Sequence, residues 1–190
     1  IKPPDEKLLL ELYEKNWVGF GYDSSAHEKT RKEEGLEVMK RYYKNLYSEE
    51  ENPYMLEESF SVHMGDTVFS GKIDRMDLVR VGESGIPEVE IIDYKTGKVK
   101  NASVIKNDLQ LPLYAIFAEE KLGVKVVRAK YVFVEHGEII EVDVSQKRRE
   151  KSRDLIPGIV ESISKREFLA TPGWLCKFCD YNSVCKDAEL

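Results

Sequence analysis

The sequence has no apolar run approaching the ~20 residues that a membrane-spanning helix needs. Its opening, Ile1-Lys2-Pro3-Pro4, has the layout of neither a secretory signal nor a transit peptide. These absences disfavour membrane and exported classes and make a cytoplasmic location the expectation. There is no initiating Met, so the chain is expected to begin inside a longer protein. No Gly-x4-Gly-Lys-Ser/Thr motif is present, so any ATP-driven motor would lie outside these residues. Repeats and low-complexity tracts are missing. Cysteine is scarce: the three, Cys176, Cys179 and Cys185, all fall within the last fifteen residues. An odd number without an export signal points to a metal or cluster site rather than a disulfide framework. Basic excess is missing too. A net charge of -6 counts mildly against nucleic acid as a partner. Carboxylates that gather cations give the same balance, however, and net charge does not report a local basic strip.

What is present reads as one globular domain. The 190 residues are 42% hydrophobic and 34% charged, enough to bury a real core. Leu8, Leu9, Leu12, Trp17 and Val18 recur at helical intervals between about Asp5 and Phe20. Ser24 or Ser25 can cap a second helix reaching about Tyr47, with Leu36, Met39, Tyr42, Tyr43 and Leu46 on its apolar face. Asn52-Pro53 marks a turn. The period then changes to two: Glu58 to Met64, a hairpin signal at Gly65-Asp66, then Thr67 to Val81. Val89 to Lys95 is nearly all apolar before a charged end, as a central strand covered on both faces reads. A helix from Leu109 to Leu122 follows, with Leu109, Leu113, Ile116 and Phe117 inward and Pro112 tolerable only in its first turn. Strands over Val124 to Glu135 and Glu138 to Val144 and a charged helix over Ser145 to Arg166 complete the order. The expected fold is α/β, a mixed central sheet of about five strands flanked by helices, with a small Cys-bearing C-terminal appendix. The expected division is a domain over residues 1–170 and a Cys-rich staple over 171–190 that packs on it.

Two acids stand at the ends of neighbouring strands, in Ile73-Asp74-Arg75 and Ile92-Asp93-Tyr94-Lys95. Side by side, such carboxylates repel one another unless a cation joins them, and Mg²⁺ is a hard ion that oxygen ligands suit. Asp93 and Lys95 are two apart and leave the strand on one face, which places an ammonium beside the metal to stabilise developing phosphate charge. The Tyr94 carbonyl between them is a further candidate ligand. An isolated Asp-x-Lys is ordinarily a strand-end salt bridge. Here three features favour chemistry: the buried character of the strand, the Thr96-Gly97 turn that ends it, and a second acid one hairpin earlier.

Three segments taken together, Gly71-Lys72-Ile73-Asp74-Arg75-Met76-Asp77, Ile91-Ile92-Asp93-Tyr94-Lys95-Thr96-Gly97-Lys98 and Asp108-Leu109-Gln110-Leu111-Pro112-Leu113-Tyr114-Ala115, resemble the RecB-type branch of the PD-(D/E)xK nuclease superfamily. That branch includes the nuclease modules of RecB and AddB, of UvrD-like helicases and of CRISPR relatives. The resemblance covers about Trp17 to Cys185 and implies a restriction-endonuclease-like core. By position it makes Asp74 and Asp93 metal ligands for Mg or Mn and Lys95 the catalytic lysine. Gln110 and Tyr114 match its Gln-x-x-x-Tyr motif, and their i, i+4 spacing sets both on one helical face. Without the resemblance, Tyr114 would read as core and Gln110 as its solvated neighbour. Arg75 and Asp77 also match but are better explained as a structural pair, and Glu57 matches an acid often found before the first strand.

The sequence departs from the family at two points. The family's Gly-x-x-x-His, which completes the metal site, has no counterpart. His27 begins a charged helix in a different context, and it, His63 and His136 read as surface residues. Cys176-x-x-Cys179-x5-Cys185 resembles the C-terminal part of the iron–sulfur staple of AddB-like nucleases, whose 4Fe-4S cluster needs a fourth Cys from far upstream. A zinc knuckle with another ligand, or plain reduced thiols, are the alternatives. The resemblance implies a metal-dependent DNA nuclease, an exonuclease arm of a repair or recombination helicase, acting on single strands or duplex ends. A catalytically silent DNA-binding scaffold of the same fold is the competing reading, and a zinc-ribbon protein-interaction module a third.

Overall fold

The structure is a computed structural model that describes residues 5–48, 53–64, 67–99 and 102–189. Two compact units divide the chain, residues 1–153 and residues 154–190. The first holds helices α1 (Glu6–Asn16) and α2 (Ser25–Asn45), strands β1 (Pro53–Met64), β2 (Thr67–Val81) and β3 (Pro87–Lys95), helices α3 (Ala102–Asn107) and α4 (Gln110–Leu122), and strands β4 (Lys125–Phe133) and β5 (Glu138–Glu141). Helix α5 (Gln146–Ser164) starts in this unit. The expected order of elements is found, with α3 as an additional short helix. The Gly65-Asp66 hairpin expectation and Asn52 lie outside the described residues.

The five strands form one sheet in the order β1-β2-β3-β4-β5. All neighbours are antiparallel except β3 and β4, which are parallel. A parallel pair needs a crossover connection, and α3 and α4 supply it. The sheet is therefore mixed, as the sequence suggests, and β3 is its centre: Glu88 to Asp93 are all buried. Pro53 begins an edge strand, where its missing N–H leaves no partner unpaired.

Helix α4 packs against β1, β3 and β4 and closes the core with Phe60, Val62, Ile73, Met76, Ile91 and Tyr131. Each fully buried side chain of this size stabilises the fold by ~1.5–3 kcal/mol. The helix turns Leu111, Ala115 and Ala118 inward, all without exposed surface, rather than Leu109 and Leu113, which are half-buried. Two alanines that a count of large apolar residues passes over let the helix sit close to the sheet. Pro112 lies in the first turn, where its absent N–H is unneeded.

The opposite face of the sheet meets α2 lightly. Tyr42 Oη lies 3.3 Å from Tyr94 Oη, and Arg41 Nη2 donates to the Glu135 carbonyl at 3.2 Å. Neither α1 nor α2 has a buried residue, and Leu8 and Leu12 stay 43% and 44% exposed, so these helices form a half-buried pair of their own. This sheet face carries ion pairs beside the buried Ile92 and Val132: Glu88 with Arg80 and Lys125, Glu90 with Arg128 and Lys130. Arg75 holds Asp77 through two bonds, Nε–Oδ1 at 2.6 Å and Nη2–Oδ2 at 2.7 Å, the pairing the sequence suggested.

The second unit contains the rest of α5 and a 3-10 turn over Trp174–Phe178. The amide of Gly173 donates to Cys176 Sγ at 3.4 Å, and the amide of Cys185 to the Tyr181 carbonyl at 2.9 Å.

Candidate functional site

The site forms where β2 and β3 run side by side. Arg75 pairs with Ile92 in register, which sets Asp74 beside Asp93. Arg75 Nη1 donates to Tyr94 Oη at 3.2 Å, so Arg75 and Tyr94 share the α2 face. Strand alternation then turns Asp74, Asp93 and Lys95 toward α4. Asp74 is fixed from below: its Oδ2 accepts the backbone N–H of Tyr94 at 2.9 Å. Asp93 is 3% exposed, and its Oδ2 lies 2.5 Å from Lys95 Nζ.

Helix α4 completes the arrangement with one amide. Gln110 Nε2 donates to Asp93 Oδ1 at 2.5 Å, and its Oε1 accepts from Lys95 Nζ at 2.9 Å. The same Nε2 lies 3.3 Å from Tyr114 Oη, one turn along the helix. Gln110 is held at the start of α4 because Asp108 Oδ1 accepts its backbone N–H at 2.9 Å. The side chains of Asp93, Lys95, Gln110 and Tyr114 are thus one connected group, with Asp74 beside them on the neighbouring strand.

Two further residues join it that sequence reasoning did not assign. Lys95 Nζ sits 5.0 Å above the centre of the Tyr131 ring, within the range of a cation–π contact. Tyr131 arrives through the parallel pairing of β4 with β3, opposite Asp93, and only that long-range pairing could have revealed it. Burial pushes the Tyr131 hydroxyl pKa far up, with the Asp108 and Asp93 charges adding to it, so it stays a neutral phenol. The other residue is Asp108, which lies inside a motif noted for its neighbours. Burial raises the Asp93 carboxyl above the usual range. The Lys95 ammonium draws it back down, and Asp74 and Asp108 push it up again.

Asp93 Oδ2 is fully buried and is paired with the Lys95 ammonium at 2.5 Å. A buried carboxylate costs free energy unless cations and hydrogen bonds complete it. With the neighbouring Asp74, it presents hard oxygen donors of the kind a divalent cation takes. Among the described residues no group of three His, Cys, Asp or Glu side chains is arranged to hold a metal ion. Cys176, Cys179 and Cys185 are likewise not gathered into a ligand set and carry free thiols. Glu57 occupies the β1 position between the partners of Arg75 and Ile73, with φ at 55°, but its carboxylate pairs with Lys72. His27, His63 and His136 are exposed.

Two acids and a lysine thus stand together on adjacent central strands of a mixed sheet. The family model of the PD-(D/E)XK nuclease superfamily matches residues 2–186. The chain belongs to the PD-(D/E)XK nuclease superfamily. No curated protein matches it.

Proposed function

We propose that this chain is a Mg- or Mn-dependent deoxyribonuclease of the RecB/AddB-like branch, with Asp74, Asp93 and the Tyr94 carbonyl as metal ligands. The observation that carries the reading is the buried Asp93 carboxylate, set beside Asp74 in register, paired with Lys95 and braced by Gln110. A divalent ion held there would supply Lewis-acid polarisation of the phosphate and acidify water. The chain's residues do the rest. Lys95 places its ammonium where negative charge grows on the non-bridging phosphate oxygens. Gln110 fixes Lys95 and Asp93 relative to one another, Tyr131 supports the ammonium from beneath, and Tyr114 borders the DNA path. A water oxygen bonds to phosphorus as the bond to the 3′ oxygen breaks, leaving a 5′ phosphate and a 3′ hydroxyl.

In this reading the domain is the exonuclease arm of a DNA repair or recombination system, fused to or bound by a helicase and acting in the cytoplasm. Cys176, Cys179 and Cys185, which stand apart as free thiols in this structure, would have to draw together to supply three ligands of a 4Fe-4S cluster, with the fourth thiolate from elsewhere. The N–H···S contact to Cys176 supports this, since such donors stabilise thiolate ligands. Residues 171–190 are then the staple and 1–170 the nuclease domain. The test is a Mn²⁺ titration by calorimetry on wild type and Asp93→Asn, with product ends analysed on labelled single-stranded DNA. Saturable Mn²⁺ binding lost in Asp93→Asn, with 5′-phosphate products, supports the proposal. A folded wild type that neither binds Mn²⁺ nor cuts returns the domain to a silent scaffold.

A further inference from the structure

In the first unit a cavity of about 540 Å³ opens between α3, β5 and the start of α5. Lys106, Lys147, Arg148 and Lys151 line it, facing two carboxylates, Glu141 and Asp143. In a chain of net charge -6 this is a local reversal of sign. Asp143 is already engaged: its Oδ1 accepts the Ser145 amide at 2.9 Å, and that bond and the nearby Arg148 hold its carboxyl below the usual range. Lys106, Lys147 and Lys151 make no ion pair or hydrogen bond among the described residues. Elsewhere many cations are matched, as Lys32 is with Glu14, Lys40 with Glu37 and Lys130 with Glu90. Ile140 and Val142 give the cavity an apolar floor.

The cavity is joined to the reaction centre. Arg148 Nη2 donates to the Asp108 carbonyl at 2.7 Å, and Asp108 Oδ1 caps Gln110, whose side chain bridges Asp93 and Lys95. An anion bound in the cavity therefore lies next to the segment that positions the catalytic amide.

We propose that this cavity is a second DNA-binding site, which grips the phosphodiester backbone of the substrate strand beside the cleavage point through Lys106, Lys147 and Lys151. Three unpartnered ammonium groups on two separate elements suit a run of phosphates better than one small anion, and the apolar floor suits the sugars between them. Phosphate contacts position a strand without reading its sequence. Arg148 has the separate task of coupling the cavity wall to the Asp108–Gln110 turn. The inference rests on the nuclease reading above.

The test is fluorescence anisotropy with labelled oligo-dT between 50 and 200 mM salt, in a Lys95→Ala background so that binding is read without cutting. Lys106→Ala/Lys147→Ala/Lys151→Ala is compared with Lys15→Ala/Lys44→Ala/Lys121→Ala, which removes the same charge elsewhere. The cavity triple is expected to bind at least about tenfold more weakly and to lower the salt slope by ~0.7 for each phosphate that is no longer neutralised. With Lys95 intact it is expected to raise KM while leaving kcat within about twofold. If the Lys95→Ala parent binds and wild type cuts but the cavity triple matches the control triple in affinity and slope, the inference is overturned and the nuclease reading stands. If the Lys95→Ala parent does not bind DNA and wild type does not cut it, both fall.

Discussion

Replacing Gln110 by Ala would isolate what one bridging amide contributes. The substitution removes two hydrogen bonds to charged groups, one at 2.5 Å to Asp93 and one at 2.9 Å from Lys95. The start of α4 should survive, because the Asp108 cap binds the backbone N–H of Gln110 and not its side chain, and Ala is a good helix former. Hydrogen bonds to charged groups are worth ~1.5–3 kcal/mol each. The direct Lys95–Asp93 contact at 2.5 Å persists and offsets part of the loss. One to two such bonds, realised in the transition state, correspond to a fall in kcat of ~10- to ~10³-fold. The assay is Mn²⁺-dependent cleavage of 5′-labelled single-stranded DNA at saturating substrate, with thermal melting in parallel. Gln110→Glu should be weaker still, since a second carboxylate would face Asp93. A folded Gln110→Ala with kcat within twofold of wild type would refute the bracing role.

Three further outcomes follow from packing and charge. A Cβ at Gly71 would meet the Phe60 ring, with Cε1 at 2.8 Å, and Tyr114 Cε1 at 3.1 Å; Gly71→Ala should cost ~1–3 kcal/mol in urea denaturation, and an unchanged midpoint would contradict the packing described. Arg75→Ala strands the buried Asp77 and should cost ~3–5 kcal/mol, more than the Arg75→Ala/Asp77→Ala double; a double whose loss equals the sum of the two single losses would show that the pair is not coupled. The Arg80 guanidinium, and after it Lys125, holds the Glu88 carboxyl down at about 2. Because its folded pKa is depressed, its stabilisation is complete above the unfolded value of ~4.3 and fades as pH falls toward 2. The melting temperatures of wild type and Glu88→Gln should converge over that window, and a gap that stays constant would show the ion pair to be idle.

The parts of the site that lie on single elements were legible in the sequence. Asp93 and Lys95 share a face because strand alternation has a period of two, and Gln110 and Tyr114 because a helix brings i and i+4 together. The central position of β3 was visible in its unbroken apolar run, and the place of Pro112 in the chemistry of a helix start. What depends on chain crossover was not legible. Tyr131 reaches Lys95 only through parallel pairing with β3. The lysines of the second cavity come from positions 106, 147 and 151, which no local pattern connects. Helix α3 is too short to show a period, and the inward turn of α4 rests on alanines that carry little hydrophobic signal. The left-handed backbone at Glu57 has no marker, since a non-glycine residue there follows from strand pairing and not from propensity.

The most direct measurement is cleavage of labelled single-stranded DNA by wild type, Lys95→Ala and Asp93→Asn, each shown to be folded, with Mn²⁺ and with EDTA. The account predicts cutting by wild type with Mn²⁺, none with EDTA, and a loss of at least about 10²-fold in each variant. Cutting that persists in EDTA, or in Lys95→Ala at the wild-type rate, would contradict it.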